Sequence, residues 1–151
     1  MPALFAYVHS LSMIALGALL FVQLLGFAKL HDREELNRFF GYCVGMAAAA
    51  AIMLASGLAL LLWSGQASAF YLRNPVFYIK LALFAAMLLV AITPARLIMQ
   101  WHRDAVAGTL PEPASILFVR RYFIVELVLF LLVPLAASIS AQGIGLQSSP
   151  S

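Results

Sequence analysis

Charge is scarce in this chain. Asp, Glu, Lys and Arg together make up 10% of its 151 residues, where a soluble domain carries about a quarter. Hydrophobic residues make up 64% and the mean hydropathy is +1.00. No water-soluble fold could bury that much apolar surface, so lipid must be the solvent for most of it. Cysteine is scarcer still. The single Cys43 excludes an intrachain disulfide, a CxxC redox pair and any four-thiolate metal site, and reads as a small packing residue. Linkers are missing too: the stretches between apolar runs are short, which argues for one domain over residues 1–146. Only the polar tail, residues 147–151, reads as disordered. The first apolar run has no Lys or Arg before it and exceeds a signal h-region in length, so it reads as a retained span.

What the chain does have is four apolar segments of spanning length, at about residues 3–27, 39–64, 75–98 and 117–140. About 20 apolar residues cross a bilayer as a helix at 1.5 Å per residue. The runs are continuous rather than alternating, which disfavours a barrel. The expected fold is all-α, a four-helix transmembrane up-and-down bundle. Lys29, Arg33, Arg38, Arg96, Arg103, Arg120 and Arg121 border the first and third loops, whereas the second loop offers only Arg73. By the positive-inside rule those two loops face the cytoplasm, and both termini face the periplasm or exterior. These basic residues serve orientation, and nothing in their placement suggests nucleic acid.

Small residues recur every fourth position in span two, at Gly41, Gly45, Ala49 and, after Met53, Gly57. Such a stripe lets a neighbouring helix approach closely in lipid. Residues 47–51, all alanine, widen the same thin face. Pro94 and Pro134 fall late in spans three and four, where freed carbonyls need new partners. The stretch 100–115 reads as the longest loop, kept extended by Pro111 and Pro113. Residues 31–35, His-Asp-Arg-Glu-Glu, read as a solvated mixed-charge turn. Tyr7, Trp63, Tyr71, Tyr78 and Trp101 read as an aromatic belt at the interfaces.

Polar groups at membrane depth carry the functional expectation. Lys80 sits in an otherwise apolar span, at a cost of about 3 kcal/mol on insertion scales. His9 and Lys80 both fall roughly 8–10 Å below the exterior boundary, level with Ser56 and Gly57. Their readings stay paired: His9 makes an interhelical hydrogen bond or ligates haem, and Lys80 snorkels to the interface or serves a ligand. Glu126 lies near mid-bilayer, with Gln23, Tyr42, Thr93, Arg96 and Arg121 on its cytoplasmic side. A carboxyl at that depth holds its proton or pairs with a cation. Arg121 is an awkward five residues away on the same helix, so Arg96 is the expected partner.

The segment Asn74-Pro75-Val76-Phe77-Tyr78-Ile79-Lys80, with Val133-Pro134-Leu135-Ala136-Ala137 near the end, resembles a bacterial family of small inner-membrane proteins of unknown function. The resemblance runs from His9 to Gly145, matches at His9, Asn74, Pro75, Lys80, Pro94, Glu126 and Pro134, and implies a multi-pass protein of the bacterial inner membrane. Gln23 stands where that family tends to carry Glu. More distantly, His9, Lys80 and Arg121 with Glu126 are similar in placement to features of the four-helix membrane protoporphyrinogen oxidases, and the architecture to copper-resistance membrane domains. The oxidase resemblance implies His9 as a ligand of b-type haem, with Lys80 as sixth ligand or propionate partner.

Three functions compete on these residues. The first is a haem b redox protein with cofactor-binding His9 and Lys80. The second is a non-catalytic structural or accessory protein, as a homo-oligomer or within a larger membrane complex, in which Asn74, Glu126, Arg96 and Arg121 are structural polar groups. The third is a small transporter using Lys80 and Glu126, which the lack of an inverted repeat disfavours.

Overall fold

Every long apolar run becomes a helix in the computed structural model, which describes residues 2–30, 32–63 and 73–141. The helices are α1 (Pro2–Gly26), α2 (Arg33–Trp63), α3 (Pro75–Val106) and α4 (Pro113–Ala141), with a 3-10 turn at Phe27–Lys29 after α1. The described residues contain no strand. Packing is most extensive within two hairpins, α1 on α2 and α3 on α4. Thinner contacts of α1 with α4 and of α2 with α3 close the ring. The polar tail, Tyr71 and His31 lie outside the described residues.

Each start has a local cause. Asp32 Oδ1 accepts from the Glu35 amide at 2.8 Å, so the mixed-charge turn is the cap and first turn of α2, which begins six residues earlier than the apolar run. Asn74 caps α3: its Oδ1 accepts from the Val76 amide at 2.9 Å, and Pro75 takes the first helical position, where its missing N–H costs nothing. Asn74 is wholly buried. The most specific segment of the family resemblance is therefore, physically, a helix start. Asn74→Ala should cost about 1–2 kcal/mol, the upper part of the range for lost caps, and Asn74→Asp should recover most of it in thermal unfolding of the detergent-solubilised protein.

The longest expected loop is mostly helix. α3 runs on to Val106, two turns past the apolar run, and α4 already begins at Pro113. Gly108, at φ +88°, supplies the left-handed residue that stops α3, while the Thr109 amide returns to the Asp104 carbonyl at 3.0 Å. The extra turns stay helical because they bury a face. Trp101 is 5% exposed and packs with Phe27, Leu36, Phe39, Ile98 and Phe123, so it belongs to the core and not to the aromatic belt. Tyr7, Trp63 and Tyr78 are exposed, as a belt requires. Within the core, Phe27 meets Phe39 and Phe123 edge-on, with ring centroids 4.8 and 5.1 Å apart. Phe40 stacks on His102 at 4.2 Å. These contacts bring the α1–α2 turn and the α3–α4 turn to one end, and with them the seven basic residues.

Outside the bundle the surface is apolar. Leu62, Leu89 and Ile14 are each about two-thirds exposed, a face suited to lipid and not to water. Three helical segments, Pro2–Lys29, Arg33–Trp63 and Pro75–Val106, are long and apolar enough to cross a membrane. α4 has 29 residues, about 43 Å at 1.5 Å per residue, and carries Arg120, Arg121 and Glu126. Pro94 and Pro134 sit inside their helices without ending them.

Candidate functional site

Two polar assemblies lie inside the bundle. The first joins α1 to α2 in the half away from the basic end. His9 Nδ1 is 2.9 Å from the Met53 carbonyl and 3.3 Å from Ser56 Oγ. A carbonyl oxygen only accepts, so Nδ1 donates and, in the neutral ring, Nε2 keeps a lone pair. Ser56 Oγ itself donates back into its own helix, to the Ile52 carbonyl at 2.7 Å. The ring lies against Gly57: a Cβ there would meet His9 Cε1 at 3.0 Å and Nδ1 at 3.2 Å. The glycine is what lets the imidazole in. Farther along the stripe, a Cβ at Gly45 would meet Leu19 at 3.5 Å, whereas Gly41 faces open space. The small stripe thus receives α1 over part of its length only.

His9 finds Ser56 and Gly57 at its own depth. Lys80 is half-buried on α3, with Nζ 5.7 Å from the centroid of the Phe77 ring on its own helix.

The second assembly lies deeper, between α1, α2 and α4. Gln23 is 0% exposed and Glu126 1% exposed. Gln23 Nε2 is directed to Cys43 Sγ at 3.5 Å, and Glu126 is near enough to interact electrostatically with the Cys43 thiol. Gln23 Oε1 and Glu126 Oε1 are buried with no hydrogen-bond partner among the described residues. Arg96 is not that partner. It is exposed, as is Arg121, and the ion pairs among the described residues are Arg38 with Glu34 and with Glu35 at the surface. The reason is angular. α3 buries Pro94, Ile98, Trp101 and Ala105, so Arg96, two residues past Pro94, points about 200° away. On α4 the buried row is Val119, Phe123 and Glu126, and Arg121 faces outward by the same arithmetic.

A cavity of about 350 Å³ opens beside this second assembly. Cys43 and Glu126 line it, with Met46 and Ala50 of α2 and Met87 and Ala91 of α3. Neither His9 nor Lys80 is among the residues that line it. Among the described residues no group of three or more His, Cys, Asp or Glu is placed to hold a metal ion.

A family model described as a predicted membrane protein, DUF2214, matches residues 1–145. The chain belongs to the DUF2214 family. Its membrane setting follows from that description together with the three apolar helices. No curated protein and no solved structure matches the chain. The DUF2214 match takes in both polar assemblies. Sequence reasoning had noted Gln23 and Glu126 by depth but had read Cys43 as packing, and it missed the cavity. The available signal was the alanine pairs four residues apart, Ala47 with Ala51 and Ala91 with Ala95, on two helices that meet.

Proposed function

We propose that this DUF2214 protein is a non-catalytic, multi-pass bundle of a bacterial inner membrane, acting as a structural or accessory subunit of a larger membrane complex. The carrying observation is the His9–Met53 bond. The one imidazole described at membrane depth ties α1 to α2 through Nδ1. Ser12 and Ser56 likewise return their hydroxyls to the Val8 and Ile52 carbonyls of their own helices, and Asn74 caps α3. The basic end, with Lys29, Arg33, Arg38, Arg96, Arg103, Arg120 and Arg121, faces the cytoplasm in this reading, which puts both termini on the periplasmic side.

One feature supports haem b as the second reading. A ligating histidine is held by a bond from its other ring nitrogen, and His9 Nδ1 makes such a bond while Nε2 keeps its lone pair. The cavity beside Glu126 is lined by neither His9 nor Lys80 and lends the haem reading no support. Oxidised and reduced absorption spectra of the purified protein separate the two readings. The accessory reading expects no Soret band. A Soret band that disappears in His9→Ala would overturn it in favour of haem. The same reading expects extraction in mild detergent to yield a larger assembly, and a sharply monomeric species would count decisively against it.

A further inference from the structure

The seam between α2 and α3 is open over part of its length, where alanines line both sides. Exposed Ala47, Ala51 and Leu54 on α2 and Leu88 and Ala95 on α3 form the mouth of the cavity, and buried Leu16, Leu20, Phe123 and Glu126 form its inner wall. The mouth opens sideways from the middle of two apolar helices, onto the surface that lipid covers. Whatever enters comes from the bilayer and has an apolar body. Its volume of about 350 Å³ falls within the range of small-molecule pockets, about 300–1,000 Å³.

The inner wall is not wholly apolar. Glu126, 1% exposed, brings a carboxyl with one oxygen lacking any partner. Behind that wall Gln23, which does not itself line the cavity, has its Oε1 unpaired among the described residues as well. Native proteins seldom leave buried polar atoms unpaired, and each one left so needs a reason, a bound polar group among them. A charged head would have to shed its water at this depth, at a large cost. A hydroxyl is neutral, donates to a carboxylate or amide oxygen and accepts from a protonated carboxyl.

We propose that the α2–α3 cavity is a lateral binding site for a membrane-dissolved molecule with an apolar body and a hydroxyl head, the hydroxyl bonding to Glu126. Quinols and long-chain alcohols share this chemistry. The proposal does not depend on the accessory-subunit reading, because a binding site suits a subunit and a free-standing protein alike.

Photolabelling in lipid nanodiscs tests it, with the full chain and three diazirine probes of equal length: an alkyl alcohol, the alkane and the alkylamine. The alcohol is expected to label the cavity residues Met46, Met87 and Phe123 about fivefold more than the alkane, the worth of one net hydrogen bond. Glu126→Leu should bring the two probes level. Ala51→Leu, which fills the mouth from an exposed position, should reduce labelling by every probe while helicity is retained. Equal labelling by alcohol and alkane in the wild type would overturn the proposal, leaving a gap filled by acyl chains. So would preference for the amine, or labelling confined to the outer surface. A Soret-active protein that still passes this test would overturn the non-catalytic reading and leave the cavity site standing.

Discussion

Gly57→Leu should destabilise the bundle by about 2–4 kcal/mol, combining about 1–3 for an overpacked interface with about 0.6 for a lost interhelical hydrogen bond in lipid. Even the first carbon of the new side chain would stand 3.0 Å from His9 Cε1, and the ring cannot yield without leaving the Met53 carbonyl, 2.9 Å away. Gly41→Leu is the control, because nothing lies within 4 Å of its added Cβ. It should shift stability by no more than about 0.5 kcal/mol, as exposed substitutions do. Reversible unfolding in mixed micelles measures both. Adding His9→Ala to Gly57→Leu should recover part of the loss, since the two side chains share one space. Equal losses at Gly57 and Gly41 would mean that added bulk anywhere along the stripe, and not the imidazole, sets the cost, since leucine favours helix over glycine at both positions.

Glu126→Leu should do the opposite and stabilise the protein by about 1–3 kcal/mol. The replacement removes a buried carboxyl with an unpaired oxygen and puts an apolar side chain of similar size against Phe123 and Leu20. Removing a buried unsatisfied group returns its desolvation penalty, about 1–3 kcal/mol. Leucine also satisfies the site from both sides, since the cavity wall around it is otherwise apolar. Unfolding midpoints in the same micelles decide the matter. A loss of stability above about 1 kcal/mol would show that the carboxyl has a native partner, which the geometry does not provide. A gain would mark Glu126 as a residue kept at a cost to the fold, as binding groups commonly are.

The helices were legible because twenty-residue apolar runs leave a chain in lipid few alternatives. Their ends were less so. α2 starts at Arg33 and α3 continues to Val106 because caps and a buried tryptophan extend helix past the apolar stretch, and neither shows in a hydropathy window. Depth was readable by counting residues, which is why His9 meets Ser56 and Gly57. Direction was harder. The pairing of Arg96 with Glu126 rested on depth alone, and the 3.6-residue turn of α3 sends Arg96 to the outside. On α4 the apolar residues run almost all round the helix, so periodicity could not say which way Glu126 faces. The cavity is a space left by side chains of four helices at once, and no single segment records it.

The clustering of charge at one end has an energetic side. Alongside the seven basic residues, that end carries Asp32, Glu34, Glu35, Asp104 and Glu112, leaving an excess of two positive charges. Turning the molecule over in a membrane polarised negative on the basic side would carry that excess against the field at about 2.3 kcal/mol per charge per 100 mV, while Arg73 and Lys80 towards the other end would move with the field and offset most of the work. An energised membrane therefore pulls on the two ends almost equally, and what keeps such a bundle one way up is the cost of dragging its charged end through hydrocarbon.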